Sequence, residues 1–313
     1  AAGLHGVQEP SARQLYRSLS RFTNLSDYLQ VWPAHGAGSS CGKALGAVPQ
    51  STVGYEKRFN ASLDAARNGE DAFVEAILSG QPEPQLYFAR MKRDNKSGMP
   101  VLGRLPSPKH FSVMELATAA ETKETLIVDT RLDRSSYFAR HIAGSLHAPY
   151  NKAFNTVIGS LVVDETTPIV LIIEPSDIEA AVRDLVRIGY DNVVGFADSK
   201  TLMRYFANGG RMASIDEITF KDVERAMSES DAVVLDVRFR SEFDGDGIPG
   251  AVNASYTRLP DYRDRLPDGR TLLVHCTTGA RAAAAAAYLA RVGYPVKLIN
   301  DNIANYKPDT VAV

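Results

Sequence analysis

One set of short motifs occurs twice in this chain, in the same order. LIVDTR at 126–131 returns as VLDVR at 234–238, IAGSLHAPY at 142–150 as IPGAVNASY at 248–256, and RIGY at 187–190 as RVGY at 291–294. In each copy a short apolar run ends in Asp and Arg, and a helix-patterned stretch further on stops at a Gly. Alternation of short apolar runs with helical patterns predicts an α/β unit with a mostly parallel sheet flanked by helices. A chain that carries this unit twice is confined to two related domains, expected at 106–210 and 211–313, with residues 1–105 as a separate region; Gly209 and Gly210 mark the boundary between the copies.

The copies differ most where chemistry would sit. TLLVHCTTGARAAAAAAYLARVGY at 271–294 holds one of only two cysteines in the 313 residues. The apolar run Leu272, Leu273, Val274 delivers Cys276 into a polar loop of Thr277, Thr278, Gly279 and Ala280, and Arg281 follows at the start of a strong helix-forming segment. A helix N-terminus and a neighbouring Arg both favour the thiolate, which is the attacking species. Loop N–H groups aimed inward would hold an anion there, and Gly279 suits a backbone that turns tightly around a bound group. The alanine run at 282–287 favours helix and allows close approach to a sheet. Taken alone, the stretch is equally compatible with a buried free Cys at a strand end.

From 214 to 313 the chain resembles a rhodanese (sulfurtransferase) domain. VLDVRFRSEF at 234–243 resembles the first signature, IPGAVN at 248–253 its continuation, and CTTGAR at 276–281 the active-site loop. Three positions depart from the pattern: Gly247 replaces the usual His before Ile-Pro-Gly, Ala282 the usual Ser after the loop Arg, and DNIANY at 301–306 the terminal Gly-Gly-x-x-x-Trp. The resemblance implies Cys276 and Arg281 as catalytic, residues 277–281 as the substrate cradle, and Asp236 and Arg238 as loop supports; for that pair the alternative is a solvated surface ion pair. The first copy resembles a rhodanese that has lost its chemistry. In PIVLIIEPSDIEAAVRDLVRIGY at 168–190 the cysteine is absent. Glu174 is expected at the nucleophile position, in a turn about two residues shorter counted back from Gly189 and Gly293.

Upstream, helical spacing at Leu15, Leu19 and Phe22 is followed by the strand-like YLQVW at 28–32 and the glycine-dense PAHGAGSSCGKALG at 33–46. This stretch resembles the C-terminal end of a metallo-β-lactamase fold, specifically of fusions that join a persulfide dioxygenase to rhodanese domains, with His35 at the last histidine-ligand position. The His-x-His-x-Asp-His loop of that family is nowhere in the sequence. The expectation is a C-terminal remnant of that fold with no competent metal centre, the iron or zinc of the full-length family belonging to a part not present here. Cys41 lacks a partner His and is expected to be a packed or exposed loop residue. Helical patterns at 51–69 and 70–80 precede a segment at 81–109 with five prolines, read as a tail and linker; YFARMK at 87–92 and LGRLP at 102–106 resemble the inter-domain segment of the same fusions.

A net charge of −2 gives no electrostatic case for nucleic acid or an anionic membrane surface as partner, and no apolar stretch approaches the roughly 18 residues needed to span a bilayer. Residues 1–10 have neither the basic nor the apolar region of a secretory signal. Two cysteines in dissimilar contexts do not form a disulfide framework, which favours a reducing, cytoplasmic setting. The resemblance implies transfer of sulfane sulfur from thiosulfate, glutathione persulfide or another small persulfide to a thiol or cyanide through Cys276. It is compatible with a homo-oligomer. A phosphatase or arsenate reductase would place five residues between Cys and Arg, whereas four separate Cys276 from Arg281. The other alternative is a fragment of a persulfide dioxygenase or related hydrolase in which the rhodanese domains only bind sulfur or act as scaffold.

Overall fold

In a computed structural model, residues 7–34, 50–81, 83–229 and 231–307 are described; His35 and Cys41 lie outside them. The chain divides into two compact units, 1–84 and 85–313.

In the first unit the helix Gln8–Phe22 packs on Glu70–Leu78, burying Ala12, Phe73 and Val74, with the Tyr16 and Phe73 rings 5.7 Å apart. The helical pattern at 51–69 is broken in two, Val53–Phe59 and Ala61–Arg67, because the Asn60 side chain accepts from the N–H groups of Ser62 and Leu63 and so caps a new helix. Gln30–Val31 and Ser51–Thr52 pair antiparallel.

The second unit holds two five-stranded sheets. One is built from Lys109–His110, Leu126–Asp129, Leu146–His147, Ile169–Ile172 and Val193–Ala197; the other from Glu217–Ile218, Ala232–Asp236, Val252–Asn253, Thr271–His275 and Val296–Ile299. In both, the strands lie in the order first, fifth, fourth, second, third, and every pairing is parallel. The central strands read as unbroken apolar runs because helices cover both faces. The repeat is thus a repeat of topology.

Three features bind the copies together. The helix Ala280–Arg291 is buried on all sides from Ala282 to Leu289, and one apolar core runs from its alanines to Phe154, Ile158 and Leu185 of the first copy. Met212–Ala213, in the segment between the copies, pairs antiparallel with His141–Ile142. The helix Phe88–Ser97, where the prolines predict a linker, docks instead on both. Leu86 N donates to Thr257 O at 3.2 Å, and Arg90 Nη2 to Ile188 O at 2.7 Å. Tyr87 lies so close on Gly159 that a Cβ there would come within 2.4 Å of its ring. The basic outer face of this helix hides it from a search for apolar periodicity. No helix among the described residues is long and apolar enough to cross a membrane.

Because the alanine helix has no free face, Ala284→Leu should overpack the core and cost about 1–3 kcal/mol, read as a lowered melting temperature. An unchanged melting temperature would show that a void adjoins the helix.

Candidate active site

Cys276 directly follows the strand Thr271–His275 and is 1% exposed. Four residues on, Ala280 starts the helix, and Gly279 makes the turn with φ +85°, a conformation that side-chain-bearing residues rarely adopt. The turn is crowded as well: a Cβ on Gly279 would stand 2.7 Å from Asn300 Oδ1. Among the described residues, the N–H groups of Thr277, Thr278, Gly279, Ala280 and Arg281 have no acceptor within the chain. Five successive donors left open at a helix N-terminus form a ring suited to an anion.

Arg281 is fastened to this ring from outside. Its Nη1 and Nη2 donate to the two carboxylate oxygens of Glu242 at 2.6 and 2.7 Å, and Nη2 also donates to Thr277 Oγ1 at 2.8 Å. Hydrogen bonding to Arg281 holds the Glu242 carboxyl below the usual carboxylate range, and Glu242 in turn raises the Arg281 guanidinium above its ordinary value. The cation therefore sits beside the cradle, with a fixed carboxylate partner. Glu242 lies within VLDVRFRSEF but draws no attention there, since its partner is 39 residues away.

Asp236 and Arg238 are buried, at 0% and 2% exposure, so they are not a solvated pair. Arg238 donates through Nε and Nη2 to both Asp236 oxygens and through Nη1 to Asp246 at 2.7 Å. Among the described residues neither side chain bonds to residues 277–280; the link to the loop runs through the backbone, Val237 N donating to His275 O. The first copy repeats the pair, with Arg131 donating to both oxygens of buried Asp129 at 2.7–3.0 Å. A pair kept where there is no cysteine serves the strand end itself. His275, wholly buried beside Asp236, has its imidazole held below its ordinary value by desolvation.

Sheet register corrects the expectation for Glu174. Asp236 faces His275 across the strand pair, and Asp129 faces Ile172, so the position after Ile172, Ile173, is the equivalent of Cys276. Ile173 is buried in the shared core and offers no nucleophile. The turn is also no shorter: residues 173–177 separate strand from helix here, against 276–279 in the second copy, and the missing length lies in the helix Ile178–Arg187. Counting from the distant glycines misplaced both. The turn enters its helix through Asp177 at φ −104°, without the left-handed glycine that shapes the cradle.

The three departures from the rhodanese pattern have local explanations. At Gly247 a Cβ would come within 2.6 Å of Phe243 O, so the glycine lets that turn close. Ala282 is buried in the core. Residues 301–306 do reach the rim, where Ile303 N donates to Thr277 O at 2.9 Å.

The Glu242 carboxylate contributes stability above its unfolded-state value of about 4.3 and loses it as pH falls through the lowered folded value. Glu242→Ala should therefore melt a few degrees below wild type at pH 7, with the deficit closing on acidification once the wild-type carboxyl is itself protonated. Thermal melts of both proteins across that range decide it; a constant deficit would mean that the brace is not ionic.

Comparison with known proteins agrees with this architecture. Residues 219–308 match the family described as Rhodanese-like domain. Over 96 residues the chain is 32% identical to the tRNA uridine(34) hydroxylase of Bacillus cereus (strain Q1), which covers 28% of this chain and 30% of that protein. The chain thus spans under a third of the length of the curated relatives it matches. Among solved structures, a metallo-beta-lactamase from Staphylococcus aureus subsp. aureus COL is 34% identical with a TM-score of 0.52, covering 62% of this chain and 52% of that one. The molecule is an α/β protein whose C-terminal part is a rhodanese-like domain and which has a metallo-β-lactamase structural neighbour.

Proposed function

We propose that the C-terminal copy is a sulfurtransferase that carries sulfane sulfur on Cys276. The observation that carries this reading is the ring of five open N–H donors headed by a cysteine thiol. The Cys276 thiolate attacks the outer sulfur of thiosulfate, the sulfur–sulfur bond of the donor breaks, and sulfite leaves with the electron pair. Cys–S–S⁻ remains in the cradle, charge is conserved, and no outside oxidant or reductant is needed. A thiol or cyanide then takes the outer sulfur and returns the thiolate. Residues 277–280 stabilise the anion through their N–H groups, Arg281 braces the loop and adds positive potential, and Asp236 with Arg238 holds the strand end. A small persulfide such as that of glutathione serves as donor by the same step. A reducing, cytoplasmic setting fits a free thiolate.

In this reading the first copy is a rhodanese-like domain without chemistry, and residues 1–105 are the C-terminal part of a metallo-β-lactamase-like domain from a persulfide dioxygenase fusion. The likeness to the Staphylococcus aureus structure supports the second point. The residues present do not fit an iron or zinc centre: among the described ones no three His, Cys, Asp or Glu side chains lie together. No step is routed through a metal.

Incubation with thiosulfate should add one sulfur, about 32 Da, at Cys276, and Cys276→Ser should abolish the adduct. Intact-mass measurement before and after incubation reads it directly. An adduct on Cys41, or one that survives in Cys276→Ser, would defeat the assignment.

A further inference from the structure

The first copy reaches the cradle of the second through one side chain. Arg134 opens the helix Arg134–Ala139, whose N-cap Asp133 accepts from Ser135 N. Its Nη2 donates to Thr278 O at 2.9 Å, the acceptor lying 144 residues along the chain. The preceding carbonyl, Thr277 O, is held by Ile303 N. In a trans peptide the carbonyl and the following N–H point in opposite directions. With both carbonyls drawn outward, the N–H groups of Thr278 and Gly279 turn away from these partners, to the side of the loop headed by Cys276. Arg134 also presses on the turn: its Cζ is 3.4 Å from where a Cβ on Gly279 would stand. A small polar cluster fixes the approach, Ser135 Oγ and Asn300 Nδ2 each donating to Glu217 Oε2 at 3.0 Å.

We infer that Arg134 is a positioning residue for the persulfide cradle, supplied to the active copy by the silent one. The inference rests on the sulfur-transfer reading of Cys276. A preorganised N–H helps only when it is aimed where charge develops, and deleting one such donor in comparable sites costs about 10²–10³ in rate. Arg134 aims a donor without being one, so its loss leaves the N–H in place but free to swing. The inference also gives the silent copy a part in the reaction beyond packing.

The test uses the full chain and two reagents. Single-turnover loading of Cys276 from thiosulfate builds an anion in the cradle, whereas alkylation by neutral iodoacetamide leaves a neutral thioether and does not need the ring of donors. In Arg134→Ala, loading should slow by about tenfold, below the cost of deleting a donor outright. Alkylation and melting temperature should stay at wild-type values. Arg134→Lys, which keeps a donor for Thr278 O, should recover most of the loading rate. Loading at the wild-type rate in Arg134→Ala would overturn the inference. So would loading and alkylation falling in the same proportion, since that is the mark of a collapsed loop, and so would a failure of Lys to restore anything. A wild-type protein that takes no sulfur from thiosulfate or glutathione persulfide overturns the sulfur-transfer reading itself, and this one with it; that result appears before any variant is made.

Discussion

The second unit depends on a helix that has almost no side chains. Because Ala282 to Leu289 are buried on every side, the backbone of Ala280–Arg291 can approach its own sheet and the first copy at once. Close approach on two sides fixes the helix axis, and the axis fixes where the helix N-terminus points. The open N–H groups at that end are therefore aimed by packing more than ten residues away. Larger residues in the run would bury more apolar area, but they would force one of the two contacts apart. The site inherits its geometry from the core.

Much of this was legible in the residues. The repeated motifs and alternating patterns predict two parallel α/β units because apolar runs and helical periodicity are local signals, and both sheets follow. Cys276, its loop and the helix behind it are contiguous in sequence, so one stretch of chain displays them. What stayed hidden is non-local. Glu242 pairs with Arg281, Ile303 with Thr277 and Arg134 with Thr278 across long separations, and single-sequence patterns carry no information about such pairings. Ile173 was missed for a different reason. Counting from conserved-looking glycines assumes that helix and turn keep their lengths, whereas hydrogen-bonded register does not depend on either.

The electrostatics of the loop follow from a division of labour. Arg281 is the nearest cation to the cradle, yet both of its terminal nitrogens are committed to Glu242 and Thr277. A cation already neutralised by a carboxylate offers less field to a bound anion than a free one would. It offers rigidity instead, since a bidentate pair holds two planar groups in one orientation. The anion is then met mainly by backbone dipoles, which belong to no side chain and cannot titrate.

The Asp-x-Arg pair at the end of each central strand has an evolutionary consequence. Replacing a buried ion pair as a unit is often tolerated, whereas deleting one partner strands the other charge and costs about 3–5 kcal/mol. Loss of the pair therefore needs two coincident changes, and every single step toward it is penalised. An isoleucine where the twin copy has its cysteine carries no such penalty, because both residues fit an apolar strand end. The two positions sit on different ratchets: catalysis in a duplicated domain can lapse in one mutation, while the strand-end pair is held by its own intermediates. A silent copy that keeps Asp129 and Arg131 is the outcome that asymmetry favours.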